Sequence, residues 1–205
     1  MDKIYISSIK EIENQFEYFI SFLDEASKEY ILNHKNHQAR LQILLDRLLA
    51  LKYLNTTIFK YNEYKKPYID NLYFNISHSN DYVVLIVSDD EVGIDIETNR
   101  NINEKLIDYV LNEEEKKTLK DNNDFIKIWT KKESIVKCLG TGINTKLKYI
   151  NTIDNDKLIK INDTNLFLKT INYDNYYISF CKKSIINDYN LEYISADDLI
   201  FSRDL

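Results

Sequence analysis

The sequence predicts an α+β fold composed of two α/β lobes, residues 1–98 and residues 99–205. Stretches with helical spacing of apolar residues are followed by stretches with alternating spacing, and this order occurs twice along the chain. The 205 residues are 44% hydrophobic, which is enough for a sizeable core. No clear sequence repeat accompanies the second occurrence, so the predicted duplication rests on element order.

In the first lobe, leucines recur at helical spacing in RLQILLDRLLA, and then the hydrophobic period changes to two. The segment YVVLIVS is apolar on both faces and is therefore predicted to be a central strand. Polar residues 88–91 are predicted to form a hairpin between this strand and VGIDIE. The predicted elements are a strand at 3–7, helical stretches at about 11–31 and 37–54, and strands at 71–77, 82–88 and 92–97.

The second lobe repeats the order of helices followed by strands. Few turn-forming residues mark the boundaries of its elements, since the whole chain contains one proline and three glycines. Its boundaries are therefore taken from polar clusters and from periodicity. The predicted elements are helices at about 103–111, 113–120 and 123–139, and strands at about 146–150, 157–161, 164–172, 175–182 and 190–195.

Charge and hydropathy exclude several classes of function. The net charge is −6 and the pI is near 5.2, so the chain lacks the positive field used in non-specific binding of nucleic acid or anionic membranes. The longest apolar run, residues 82–87, is too short to span a bilayer, and charges near the start leave no room for a secretory signal. Two distant cysteines, Cys138 and Cys181, suit a reducing compartment. We expect a cytoplasmic protein.

EVGIDIETNR carries two carboxylates on one face of a predicted strand. Because strand side chains alternate, Asp95 and Glu97 lie roughly 6.5–7 Å apart along the chain, close enough to bind one hard cation. Gly93 is interpreted as an open space on the same face, where something bulky could approach the backbone. The alternative is a solvated face of an edge strand. Mg²⁺ is the ordinary intracellular partner of two carboxylates and phosphate oxygens.

The helix containing WTKKESIVK places a lysine within an apolar stripe. Lys132 lies in the middle of the stripe, so its ammonium must either reach outward to solvent or meet an anion. Glu133 and Lys137 lie together at one margin, where a plain surface ion pair is the simpler interpretation. If this helix borders the face bearing the two strand acids, Glu133 supplies a third oxygen ligand and the two lysines offer cations to a diphosphate.

Other polar stretches are candidates for phosphate binding. In FNISHS, Ser77 and His78 end a strand, where ligands commonly bind in α/β folds. Basic residues also cluster near the junction of the first two helical stretches and before the single proline, although each cluster alone is typical of solvated surface. These residues are Lys28, His34, Lys35, His37, Arg40, Lys65 and Lys66.

The order RLQILLDRLLA, KKP, FNISHS, GIDIE and WTKKESIVK resembles that of the 4′-phosphopantetheinyl transferases. More narrowly, it is similar to the longer, monomeric, two-lobed group that primes carrier proteins of peptide, polyketide or fatty-acid synthesis. The similarity runs from about residue 28 to residue 145. Each motif alone is a weak signal, but their combination at this separation is specific.

The resemblance implies two similar lobes related by a pseudo-twofold axis, with mostly antiparallel sheets and packed helices. Coenzyme A and Mg²⁺ would bind in the cleft between the lobes. The implied reaction transfers 4′-phosphopantetheine from coenzyme A to a serine of an acyl or peptidyl carrier protein and releases adenosine 3′,5′-bisphosphate. The resemblance implies that the nucleophile is the serine of the carrier protein and not a residue of this chain.

The resemblance also implies roles for single residues. Asp95, Glu97 and Glu133 match the metal ligands, and Glu133 is the candidate general base. Glu115 matches a family acid to which we assign no role. The implied coenzyme A contacts are Lys28, Arg40, Lys66, Ser77, His78, Lys132 and Lys137.

This chain departs from the family pattern at two positions. Lys65 replaces a frequent glycine, and Leu41 replaces a frequent hydroxyl residue after the arginine, so the details of nucleotide binding differ. An apolar and basic surface for the acidic carrier protein is expected around residues 141–148, where an ordinary loop and strand is the alternative.

Two other functions are compatible with the sequence. A Mg²⁺-dependent nuclease or phosphohydrolase would also use clustered acids with a lysine, although the net acidity argues against nucleic acid. A non-catalytic module that binds coenzyme A or a carrier protein is the second alternative.

Overall fold

The structure, a computed structural model, describes residues 1–142, 146–153, 158–161 and 163–200. The helices are α1 (Phe16–Ile20), α2 (Glu25–Leu32), α3 (His37–Leu54), α4 (Glu104–Val110), α5 (Glu113–Thr118) and α6 (Asn122–Leu139). The strands are β1 (Asp2–Ser8), β2 (Lys60–Tyr61), β3 (Pro67–Tyr68), β4 (Tyr73–Ser79), β5 (Tyr82–Ser88), β6 (Val92–Thr98), β7 (Leu158–Ile161), β8 (Thr164–Tyr173), β9 (Tyr176–Lys182) and β10 (Tyr189–Tyr193).

The strands form two four-stranded sheets and one short pair. The first sheet has the order β10–β1–β5–β4, the second has the order β6–β9–β8–β7, and β2 pairs with β3. β10 runs parallel to β1, and the other strand pairs are antiparallel. Helices pack against both larger sheets, with α3 contacting β5 and α6 contacting β6 and β9. The predicted α+β class is confirmed. Within the described ranges, no helix is both long and apolar enough to cross a membrane.

The predicted hairpin between β5 and β6 is wrong. β6 pairs with β9 in the second sheet, so the polar residues 89–91 cross from one sheet to the other. The apolar residues Val92, Ile94 and Ile96 are buried in a core shared by the two sheets, packed with β1, β5 and β9. The division into lobes at residue 98 stays a prediction. The strand pairing assigns β6 to the second sheet and returns β10 to the first.

Two other elements differ from the sequence prediction. The helical stretch expected at 11–31 is interrupted, because Asp24 accepts a hydrogen bond from the Ser27 amide (2.9 Å) and begins α2 as its N-cap. The strand expected at 146–150 is a 3₁₀ turn at Leu147–Tyr149. In contrast, α3 spans the predicted residues and buries its leucine face in the core of the first sheet.

Gly93 sets the distance between β6 and α6. A Cβ atom built at Gly93 would lie 2.2 Å from both the Cys138 amide nitrogen and the Ser134 carbonyl oxygen. The space beside Gly93 is therefore filled by the helix backbone, and the interpretation as an open space is wrong. This close approach holds Glu133 and Lys137 on α6 next to the strand that carries Asp95 and Glu97.

Gly93→Ala is expected to destabilise the protein by about 3 kcal/mol or more, at the upper end of overpacking penalties, because backbone atoms cannot yield as a side chain can. Urea unfolding followed by circular dichroism measures the loss. Gly142→Ala is the control, since a Cβ atom there would meet its nearest neighbour at 3.4 Å. Its remaining cost is the strain of its positive φ of 57°. Equal losses in the two variants would contradict the steric argument.

Candidate active site

The edges of the two larger sheets meet at β4 and β6. The side-chain oxygen of Asn75 on β4 accepts a hydrogen bond from the Ile94 amide on β6 at 2.9 Å. This bond satisfies a backbone donor of an edge strand and fixes the register of the two sheets. As a result, Ser77 and Ser79 on β4 lie opposite Asp95 and Glu97 on β6.

Asp95 is where β4, β6 and α6 meet. Its Oδ1 accepts hydrogen bonds from Ser77 Oγ (2.9 Å) and from Lys137 Nζ (2.6 Å). Lys137 Nζ also donates to Ser77 Oγ at 2.8 Å, which closes a three-residue network. Asp95 is only 5% exposed, and its Oδ2 is buried without a hydrogen-bond partner. The ammonium of Lys137 thus pairs with Asp95 and not, as the simpler interpretation of the sequence had it, with Glu133.

Glu97 is held at the other end of the strand pair. Its Oε2 accepts from Ser79 Oγ (3.0 Å), and its Oε1 accepts from Trp129 Nε1 (3.2 Å) and from Arg100 Nη2 (3.3 Å). Burial, followed by repulsion from Asp95, raises the pKa of the Glu97 carboxyl above its ordinary value, although Arg100 opposes this shift.

Glu133 lies within the electrostatic field of the two strand acids. Burial is the largest cause that raises the pKa of Glu133, and repulsion from Asp95 and Glu97 adds to it. The Lys137 ammonium acts in the opposite direction, and the resulting pKa is about 7. A carboxyl group with this pKa exchanges protons readily near neutral pH.

The site residues line two adjoining cavities. The larger, which we call the acid cavity, has a volume of about 630 Å³, and the smaller, which we call the Glu133 cavity, has a volume of about 320 Å³. Lys137, Ile76 and Pro67 line both. The acid cavity is also lined by Tyr30, His34, Ala39, Gln42, Ile43, Asp46, Arg47, Phe59, Tyr61, Ser77, His78, Asp95 and Glu97. The Glu133 cavity is also lined by Tyr64, Lys65, Lys66, Asn75, Tyr109, Trp129, Glu133, Val136, Gly140, Gly142 and Leu147.

The predicted metal ligands are neighbours but do not share one cavity. Asp95 and Glu97 line the acid cavity, whereas Glu133 lines the cavity beside it. In the part of the chain that the structure describes, no three His, Cys, Asp or Glu side chains form a ready group for a metal ion. Two observations nevertheless fit a divalent cation: Asp95 Oδ2 is buried and unpaired, and burial together with repulsion from neighbouring acids raises the pKa of Glu97 and of Glu133.

Lys132, which the resemblance assigned to coenzyme A, lines neither cavity. The residue is fully buried, and its ammonium donates to Glu115 Oε2 (2.5 Å), the Val110 carbonyl (2.8 Å) and the Leu147 carbonyl (3.1 Å). These bonds use its three protons. Burial lowers the pKa of Lys132, while Glu115 opposes the shift. Lys132 therefore joins α6 to α4, α5 and the turn at Leu147, and gives Glu115 a structural role.

The remaining predicted contacts fall into two groups. Ser77, His78 and Lys137 line the acid cavity, and Lys66 lines the Glu133 cavity. Burial, followed by the Lys137 charge, lowers the pKa of His78. Lys28 and Arg40 line neither cavity. Lys28 pairs with Glu25 (2.7 Å), and Arg40 donates to the carbonyls of His34 (2.5 Å) and Leu32 (3.0 Å).

The structure adds three site residues that the sequence analysis missed. Trp129 donates to Glu97 from α6. Asp46 and Arg47 reach the acid cavity from α3. In the sequence, Asp46 and Arg47 are marked only as two adjacent charged residues within the leucine-rich run LLDRLL.

Asp46→Asn is expected to stabilise the protein in a pH-dependent manner. Burial raises the pKa of Asp46 from 3.8 to about 7, although Arg47 and Lys137 oppose it. The native state therefore retains a proton that the unfolded state loses, and stability falls as pH rises between these two values. Asparagine does not ionise, so the free energy of unfolding of the variant should exceed that of the wild type by an amount that grows as the pH rises between these two values. The difference should level off above pH ~7 at roughly 1–2 kcal/mol, because Asp46 is only half-buried.

Urea unfolding of both proteins at pH 4.5, 6 and 8 measures this difference. An advantage of the asparagine variant that is equal at the three pH values would contradict the raised pKa.

Comparisons with known proteins agree with these features. The family model described as "ACPS: 4′-phosphopantetheinyl transferase superfamily" matches residues 91–194. The 4′-phosphopantetheinyl transferase gsp of Aneurinibacillus migulanus is 30% identical over 159 residues, which cover 70% of this chain and 67% of that protein. The 4′-phosphopantetheinyl transferase Sfp of Bacillus subtilis is 27% identical over 152 residues, covering 66% and 68%.

A eukaryotic relative also matches. The L-aminoadipate-semialdehyde dehydrogenase-phosphopantetheinyl transferase of Saccharomyces cerevisiae is 33% identical over 165 residues, which cover 68% of this chain. The chain spans 61% of the yeast protein, less than two thirds of its length. The family match covers the strand with both acids and the helix with Glu133 and Lys137. The chain belongs to the 4′-phosphopantetheinyl transferase superfamily and is an enzyme of that class.

Proposed function

We propose that this enzyme transfers 4′-phosphopantetheine from coenzyme A to a serine of an acyl or peptidyl carrier protein, with Mg²⁺, and releases adenosine 3′,5′-bisphosphate. The observation that carries the proposal is the network of Ser77, Asp95 and Lys137 on a cavity with a buried, unpaired carboxylate oxygen. The family relationship supports the phosphopantetheine chemistry. We further propose that the protein acts as a cytoplasmic monomer.

Asp95, Glu97 and Glu133 would hold the metal ion. The unpaired oxygen of Asp95 and the mutual repulsion of the acids support this assignment. When bound, Mg²⁺ supplies positive charge to the phosphate oxygens of the donor.

The cationic side chains stabilise the leaving group. Transfer breaks the diphosphate bond, so negative charge grows on the departing bisphosphate. Lys137 lines both cavities and is held in place by Asp95 and Ser77, so its ammonium is preorganised next to this charge. His78 lines the acid cavity and offers a further hydrogen-bond donor.

Glu133 is the proposed general base. The carrier serine must lose its proton to attack the phosphorus, and a base with a pKa near the working pH accepts it most effectively. The pKa of Glu133, about 7 before a metal ion binds, lies near this range, and a bound Mg²⁺ would lower it and keep the carboxylate ionised and able to accept the proton. Its position on the Glu133 cavity leaves the acid cavity for the phosphates.

The expected carrier-binding surface at 141–148 stays a prediction. Residues 143–145 lie outside the described part of the chain. Among the described neighbours, the ammonium groups of Lys146 and Lys148 lie 5.9 and 5.5 Å from the ring centroid of Tyr149, which is 73% exposed. Such a basic and aromatic surface suits an acidic partner.

A mass-shift assay tests the proposed function. The protein is incubated with coenzyme A, MgCl₂ and purified carrier domains of peptide, polyketide and fatty-acid synthesis, each with a Ser→Ala control carrier. We expect one carrier to gain the mass of a single phosphopantetheine, with equimolar release of adenosine 3′,5′-bisphosphate, and EDTA to stop the gain. No gain on any of these carriers would overturn the proposal.

A further inference from the structure

Unpaired polar atoms converge on the acid cavity. Within the described ranges, the buried side-chain nitrogen and oxygen atoms without a hydrogen-bond partner are Asp46 Oδ1, Arg47 Nε and Asp95 Oδ2. All three residues line the acid cavity. A buried polar group left unpaired costs about 1–3 kcal/mol, so such groups are rare and require an explanation. Their convergence on one cavity indicates a site for a polar ligand.

Arg47 is the cation among these three residues. Its guanidinium lies 4.5 Å from the centroid of the Phe59 ring, and its Nη2 lies 3.5 Å from the Tyr61 hydroxyl. Phe59 and Tyr61 also line the cavity. In the described part of the chain, no ion pair within 4 Å involves Arg47. The aromatic rings therefore hold a guanidinium at the cavity wall. The Asp46 carboxyl forms no such ion pair with it, although it lies near enough for the two groups to interact electrostatically.

The neighbouring cations are already engaged. Lys137 is bound to Asp95 and Ser77 within the same cavity. Arg40, two helical turns before Arg47 on α3, donates to backbone carbonyls at the end of α2. Of Arg40, Arg47 and Lys137, Arg47 is the one whose side chain has a buried donor, Nε, without a hydrogen-bond partner. A planar guanidinium matches the oxygens of a phosphate group and can bind two of them at once.

We propose that Arg47 binds a phosphate group of the donor substrate from the wall of the acid cavity. The inference rests on the proposed function and deepens it, since it assigns a donor-binding role to an arginine for which the resemblance implies none. Coenzyme A offers two sources of this chemistry, the ribose 3′-phosphate and the diphosphate. The experiment below distinguishes them.

Binding measured by isothermal titration calorimetry tests the proposal without the carrier protein. The ligands are coenzyme A, 3′-dephospho-coenzyme A and adenosine 3′,5′-bisphosphate, each with MgCl₂. The proteins are the wild type, Arg47→Gln, Arg47→Lys and Lys52→Gln. Lys52 lies on the same helix, and its replacement makes the same change in net charge outside the acid cavity. Thermal melts confirm that each variant is folded.

Arg47→Gln is expected to weaken binding of coenzyme A and of the bisphosphate by roughly tenfold to a hundredfold, the effect of one charge-assisted contact. Arg47→Lys should lose less affinity, because lysine keeps the positive charge and lacks only the planar guanidinium that can bind two oxygens at once. Lys52→Gln should bind as the wild type does. If Arg47 contacts the 3′-phosphate, Arg47→Gln leaves binding of 3′-dephospho-coenzyme A unchanged. If it contacts the diphosphate, binding of both donors weakens equally.

Different results overturn the inference and the proposed function. If the wild type binds coenzyme A, and Arg47→Gln binds coenzyme A and 3′-dephospho-coenzyme A as tightly as the wild type does, the role of Arg47 is overturned and the proposed function is not. If Arg47→Gln does not fold, Arg47→Lys decides, and unchanged affinity in that variant overturns the role. A wild type that binds neither donor overturns the proposed function and this inference with it.

Discussion

Asp95→Ala is expected to abolish phosphopantetheine transfer, with turnover reduced by roughly a thousandfold or more while the protein stays folded. Asp95 is the acceptor that joins β4, β6 and α6, and it carries the unpaired oxygen assigned to the metal ion. Folding should survive because Lys137 keeps its bond to Ser77 and is 28% exposed, so its charge can reach water.

The mass-shift assay measures the loss, and a thermal melt measures folding. Asp90→Ala is the matched control, since it removes a carboxylate from the connection before the same strand and lines neither site cavity. A fully active Asp95→Ala protein would refute the metal assignment. A variant that is unfolded would show that Asp95 serves the fold, against our expectation.

Glu115→Ala is expected to lower the free energy of unfolding by about 3–5 kcal/mol, because it leaves the Lys132 ammonium buried without a counter-ion. Both side chains are fully buried. Glu115 also accepts hydrogen bonds from the Asn112 amide (3.0 Å) and the Thr152 amide (3.0 Å), so the substitution leaves further donors unpaired. The pair thus ties α5 to α6 and to the segment before β7.

Urea unfolding at pH 7 measures this loss, and the double variant Glu115→Leu with Lys132→Met is the informative control. Replacing both charges by apolar groups removes the uncompensated ion, so the double variant should recover much of the lost stability. The Asn112 and Thr152 donors stay unpaired, so recovery should be incomplete. A double variant less stable than Glu115→Ala would contradict the argument.

Much of the fold follows from local patterns. The leucine period predicts α3 at the residues where it lies. Alternation predicts β4 and β9, and a continuous apolar run predicts β5, each to within one or two residues. These predictions succeed because the period of apolar residues depends on element geometry alone. The same patterns do not predict which strand pairs with which. β6 joins β9, and the parallel β10 returns to β1, through contacts between distant segments.

The candidate site divides in the same way. The motifs identify Ser77, Asp95 and Lys137, and the structure brings these three together in one network. Spacing also placed Lys132 in an apolar stripe, but the direction of its ammonium depended on Glu115, seventeen residues away in the chain. Arg47 lies within the stretch RLQILLDRLLA, but the resemblance implies no role for it, and the proposed role depends on the packing of α3 beside the cavity.

By itself, the sequence determined the chemistry available to this protein: two acids on a strand face, an acid and a lysine on a helix, and the family to which they belong. The tertiary structure decided which charges meet a ligand and which meet each other. The physical reason is that a buried charge must find a partner, and that partner comes from whichever distant segment the packing of helices on sheets brings within reach.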